Sequence, residues 1–136
     1  MNGVDVPNDE GLTMSVKALV GYDLMPGITP EDYDQWLWET HVPDLLANPH
    51  LDKIVFNTVI ERVEQTSGGA TPAKQTVSLY RVAELHYADM AALDAYRAWF
   101  EEHPIPAQRG PGGRSDFRFY VLCTVREATR EATREA

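Results

Sequence analysis

One cysteine, Cys123, is all this chain offers to disulfide chemistry, so no internal bridge can form. It stands in an apolar, strand-like run, FRFYVLCTV, where a buried and inert thiol is expected, since reactive thiols need an electropositive and partly exposed setting. Basic residues are also scarce. Twelve Lys and Arg face 21 Asp and Glu, and the net charge of −9 repels phosphate backbones and anionic lipid headgroups. Nucleic acid is therefore not expected as a partner, nor is a membrane. No apolar run reaches the ~20 residues of a membrane span, and residues 1–13 (MNGVDVPNDEGLT) carry neither a basic start nor an apolar stretch, so a cytoplasmic protein is expected. Cofactor signatures are missing too. There is no His-x-x-x-His pair, no second cysteine, no nucleophile elbow and no Gly-rich turn opening a helix, so the expectation is no metal and no organic cofactor.

What is present suits one domain: 136 residues, 43% of them hydrophobic. Residues 1–13 are acidic and aperiodic and read as a disordered leader. Residues 15–24 (SVKALVGYDL) read as a strand, stopped by Met25-Pro26-Gly27. A helix follows. Thr29 can cap it, Pro30 suits its first position, and Glu31 and Asp32 complement its dipole. Tyr33, Trp36, Leu37, His41, Leu45 and Leu46 form its apolar stripe, and Pro43 should distort its last turns. Strands are expected over 51–63 and 76–87, joined by a flexible connection at 64–73. Asp89 caps a second helix bearing Met90, Leu93, Tyr96, Trp99 and Phe100, which ends near His103-Pro104. A Pro- and Gly-rich loop leads to a last strand at 117–125, and the repeat REATREATREA at 126–136 reads as a charged, frayed tail.

The order β-α-β-β-α-β over 14–125 predicts an α+β, ferredoxin-like domain: a four-stranded antiparallel sheet with both helices on one face. Alternation puts Val16, Ala18, Val20, Tyr22 and Leu24 on one side of the first strand and Leu19 on the other. On the last strand it sets Phe117, Phe119, Val121 and Val125 against Tyr120 and Leu122. Both sheet faces then look apolar, and a second copy packed on the uncovered face is expected, giving a homodimer.

The helix DYDQWLWETHVPDLLANPHL at 32–51, with its His-x-Pro step at His41 and Pro43, and the segment LYRVAELHYADMAALDAYRAWF at 79–100 resemble the dimeric α/β-barrel superfamily. Within it the resemblance is to the EthD/REDY-like branch that includes HapK-type proteins, and it covers residues 15–125. It implies a ferredoxin-like subunit that pairs into a β-barrel. It also implies a pocket between sheet and helices, of the kind used by cofactor-free monooxygenases, polyketide cyclases and lactone isomerases. Some relatives bind haem through a proximal histidine. Of the functional residues, only His41 is carried across by the motif.

The residues themselves point to a small-molecule pocket, because ionisable groups stand among aromatics. His41, on the stripe of Tyr33, Leu37 and Leu45, is the first candidate for proton transfer near neutral pH. His86 is the second, sharing a strand face with Tyr80 and Glu84, a carboxylate that can orient its ring. Asp23 at the end of the first strand is a candidate base, and Glu39 a further acidic one. Arg81 is a candidate for gripping a carboxylate or enolate, or else for an ion pair at the dimer interface; Asn57 can donate to a developing oxyanion. Tyr22, Tyr33, Trp36, Trp99 and Tyr120 supply ring surface, and three tryptophans in so small a domain indicate a wall for a flat, conjugated ligand. His50 and His103 read as surface groups. The expected function is a cofactor-independent cyclase, isomerase or condensing enzyme acting on a reactive aromatic or polyketide-like intermediate. A cofactor-free monooxygenase, a carrier of such an intermediate, and a haem protein are the alternatives.

Overall fold

The computed structural model describes residues 14–61 and 78–130. The leader, the 64–73 connection and the end of the charged tail lie outside the described residues. Four strands, β1 (Val16–Leu24), β2 (Lys53–Thr58), β3 (Arg81–Tyr87) and β4 (Ser115–Thr124), form one antiparallel sheet in the order β2-β3-β1-β4. With helices after β1 and β3, this is the ferredoxin-like α+β arrangement. No helix among the described residues is long and apolar enough to cross a membrane.

The first helix begins as its residues dictate. The Thr29 hydroxyl accepts from the Asp32 N–H at 3.1 Å and Pro30 takes the first helical position of α1 (Pro30–Trp36). A π-helical turn, Leu37–His41, then precedes α2 (Val42–Leu46). Pro43 explains it: without an N–H it cannot bond the carbonyl four residues back, and the wide turn absorbs the interruption with Val42 N–H donating to Leu37 O. The turn has a geometric effect as well. Steps of four residues overshoot one turn of α-helix and undershoot one turn of π-helix, so the insertion cancels drift and keeps Leu37, His41 and Leu45 on one side. In α3 (Met90–Glu102) the Asp89 carboxylate accepts from Ala92 N–H at 2.8 Å, and Leu93 and Tyr96 are buried.

Strict alternation governs the two central strands. Val16, Ala18, Val20 and Tyr22 of β1, and Arg81, Ala83, Leu85 and Tyr87 of β3, are all buried beneath the helices. The strands are shorter than expected at 51–63 and 76–87, while β4 starts two residues earlier than 117. Its parity also breaks. Gly21 pairs with Phe119 but Tyr22 pairs with Phe117, so Arg118 is an extra residue, a β-bulge. Phe117 and Tyr120, expected on opposite faces, therefore share the helix-covered face. The bulge seats the Phe119 ring directly on Gly21, where a Cβ would collide with it.

The uncovered face mixes apolar and polar side chains: Leu19, Val55, Val82, Phe119 and Val121 share it with a charged network. At its centre the Glu84 carboxylate accepts from Lys17 at 3.2 Å and Asn57 at 2.8 Å, and lies 2.9 Å from the His86 Nε2. Hydrogen bonding, from Asn57 first, holds Glu84 below the usual carboxylate range. Cys123 is half-buried there, opposite Lys17, rather than in the core. Exposed apolar side chains collect on the edge strand: Phe117, Tyr120, Val121 and Leu122 are 42–57% exposed.

Candidate functional site

Between the covered sheet face and the first helix lies a cavity of about 180 Å³. Val20, Tyr22, Phe56 and Leu85 floor it, Tyr33, Leu37, His41 and Leu45 roof it, and Tyr96 and Ser115 close its sides. Phe117 and Tyr120 are its most solvent-open wall residues.

His41 is half-buried and stacks on Trp36, ring centroids 4.7 Å apart and planes 17° from parallel. Trp36 is itself fixed, its indole N–H donating to Arg109 O at 3.0 Å with the Arg114 guanidinium 4.9 Å above its ring. This backing sets the imidazole plane. Burial holds the His41 pKa below its ordinary value, Asp44 opposes that shift and Arg114 adds to it, so the ring is neutral at pH 7. Its Nδ1 is buried and makes no hydrogen bond among the described residues.

Tyr33 and Tyr22 stand side by side, centroids 5.5 Å apart, with different partners. The Tyr33 and Ser115 hydroxyls share a hydrogen bond of 2.6 Å, whereas the Tyr22 hydroxyl, beside Tyr33 and Arg81, is buried and in hydrogen-bonding geometry with none of the described residues. Burial, reinforced by Tyr33, pushes the Tyr22 phenol far above its ordinary range, and burial raises Tyr96 to about 12. Both stay protonated at any physiological pH.

Several expected site residues stand elsewhere. His86, Glu84 and Asn57 form the network on the uncovered face, so the sheet separates them from His41. Tyr80 does not share that face; it packs on Tyr33 and under Arg81. Asp23 is on the uncovered face too, held by Arg118 at 3.1 Å. Neither His86 nor Asp23 can hand a proton to a molecule in the cavity. Arg81 is 5% exposed and its guanidinium is engaged within the chain. It forks onto Asp34 at 2.9 and 3.3 Å, donates to Thr58 Oγ1 at 2.9 Å, and lies over Tyr80. Glu39 is exposed. No tryptophan lines the cavity: Trp36 is behind His41, Trp38 packs on Phe56, and Trp99 stacks on His103. The ring wall is tyrosine and phenylalanine.

His41, Tyr22, Tyr33, Leu37 and Tyr120 are the expected residues that the fold does bring together. Ser115, Phe56, Tyr96 and Phe117 were missed as site residues. Phe56 was findable, since it alternates with Ile54 and Thr58 on the covered face of β2. Ser115 and Phe117 were hidden by the bulge.

The fold and site thus define a ferredoxin-like domain with a tyrosine-walled cavity roofed by a neutral histidine. Comparison of the chain with family models and with curated proteins finds no match.

Proposed function

We propose that the cavity binds a small, flat organic molecule and that His41 moves a proton on it. The protein would then be a cofactor-independent enzyme of the cyclase, isomerase or condensation type, acting on a reactive aromatic or polyketide-like intermediate of natural-product biosynthesis. The carrying observation is that two residues of the cavity wall, His41 and Tyr22, each hold a buried polar atom, Nδ1 and Oη, that makes no hydrogen bond among the described residues. Buried polar groups are seldom left unpaired, and at a cavity wall the missing partner is a ligand atom. A neutral imidazole is suited to give or take a proton near pH 7. The resemblance to the dimeric α/β-barrel superfamily, and the cytoplasmic setting expected from composition, accord with this reading.

A carrier without chemistry is the second reading. It is favoured by one fact: among the described residues no carboxylate hydrogen-bonds His41, since Asp44, whose charge acts on the ring, is forked onto Arg109, and Glu84 and Asp23 are beyond the sheet. Proton exchange separates the two. A neutral 1,3-diketone, 1-phenyl-1,3-butanedione, incubated in D₂O should exchange its α-protons faster with the native chain, and lose that acceleration but not its binding with His41→Ala. Binding without acceleration by the native chain would establish the carrier, and the absence of binding would defeat both.

A homodimer belongs to the same reading, with its contact moved from the uncovered sheet face to the edge strand. Phe117 and Tyr120 stand at the rim of the cavity among the exposed apolar residues of β4, so a second copy there would cover them and close the site together. Sedimentation at micromolar concentration showing a 15.3 kDa species would contradict it.

A further inference from the structure

We infer that the molecule this cavity takes is uncharged, about one ring in size, and carries a carbonyl or enol oxygen that accepts a hydrogen bond from the Tyr22 hydroxyl. The inference rests on the binding reading above and gives it a substrate class.

Charge is the first argument. The chain is 24% Asp, Glu, Lys and Arg, yet among the described residues none of these lines the cavity. The nearest cations are already engaged. Arg81 is forked onto Asp34, and Arg114 donates to Gln108 O at 3.3 Å and Gly110 O at 2.7 Å. A carboxylate or phosphate entering would shed its water with no free counter-charge to receive it. An ammonium would fare no better.

Size is the second. A dry cavity of about 150 Å³ in another protein takes benzene, and this one is about 180 Å³. One ring with one or two short substituents fills it.

Direction of the hydrogen bond is the third. A Tyr22 phenol that stays protonated is a donor, and no acceptor among the described residues meets it in hydrogen-bonding geometry, the neighbouring Tyr33 hydroxyl being bonded to Ser115. The ligand must supply an oxygen. His41 Nδ1 offers the second polar point, to which a ligand hydroxyl can bind.

The test uses three probes of one ring at pH 7.0 with the full chain, followed by calorimetry or ligand-observed NMR. They are 4-hydroxyacetophenone, 4-hydroxybenzoate and p-cresol. The ketone should bind at least about tenfold more tightly than the benzoate, a conversion of ~1.4 kcal/mol. Tyr22→Phe should weaken the ketone about tenfold while leaving p-cresol, which lacks the carbonyl and has only the hydroxyl that His41 binds, unchanged. Benzoate binding as tightly as the ketone, or Tyr22→Phe affecting ketone and cresol alike, would overturn the inference and leave the cavity as a binding site. If none of the three enters, the binding reading falls and this one with it.

Discussion

Tyr22→Phe and Tyr33→Phe make the same chemical change on neighbouring rings, and the structure predicts opposite signs for stability. Tyr22 is 3% exposed and its hydroxyl makes no hydrogen bond among the described residues. A buried hydroxyl without a hydrogen bond costs about 1–3 kcal/mol in proteins. The lower end applies here because the polar groups of Tyr33 and Arg81 lie beside the hydroxyl and act on its charge. Removing it should therefore stabilise the ligand-free chain by about 1 kcal/mol. Tyr33, also 3% exposed, shares its 2.6 Å bond with Ser115, itself 8% exposed. Removing that hydroxyl loses the bond and orphans the serine, a loss of about 1–2 kcal/mol. The two variants should differ by roughly 2–3 kcal/mol, or on the order of 10 °C in melting temperature for a domain of this size. Urea and thermal denaturation of the ligand-free chain measure both, with an unchanged urea slope as the check that the unfolded state is the same. If the two substitutions prove equally destabilising, Tyr22 has a partner in solution. The argument that its hydroxyl waits for a ligand then fails.

Other consequences are simpler to test. Asp34→Ala strands the Arg81 guanidinium at 5% exposure, and because Asp34 is itself 39% exposed the loss should be about 2 kcal/mol, below the range for a fully buried pair; chemical denaturation reads it, and a neutral result would mean Thr58 and Tyr80 suffice to hold the charge. The His41 ring signals in NMR should titrate below the ordinary histidine value, since burial disfavours the imidazolium. Because the unfolded chain then binds the proton more readily, His41 leaves stability intact above the unfolded pKa and lowers it as pH falls from there towards the folded pKa; titration at or above the ordinary value would mean the ring is solvated. Gly21→Ala should cost about 1–3 kcal/mol by overpacking against Phe119, and Phe119→Ala in the same chain should recover part of that loss; an unchanged melting temperature would show that the ring swings aside freely.

Local chemistry was legible in the sequence wherever a few adjacent residues settle the outcome. Thr29 and Asp89 cap their helices because a side-chain oxygen need reach only three residues on, Pro43 disturbs its own helix, and the alternation of β1 and β3 survives intact since both strands are flanked on either side. Element order followed, and with it the ferredoxin-like sheet. Facing was another matter. Which side of the sheet a β4 residue occupies depends on a one-residue bulge set by Phe119 lying on Gly21, nearly a hundred positions earlier, so Phe117 and Ser115 joined the cavity unannounced. Histidine and tryptophan placement depended on the same non-local pairing: His41 and His86 look alike in sequence, but one lies beneath the helix and the other across the sheet from it. The sequence determined which elements form and how they begin and end, because those choices are made over a few residues. Tertiary structure alone decided which side chains meet, because a cavity wall is assembled from strand registers and bulges that no local period records.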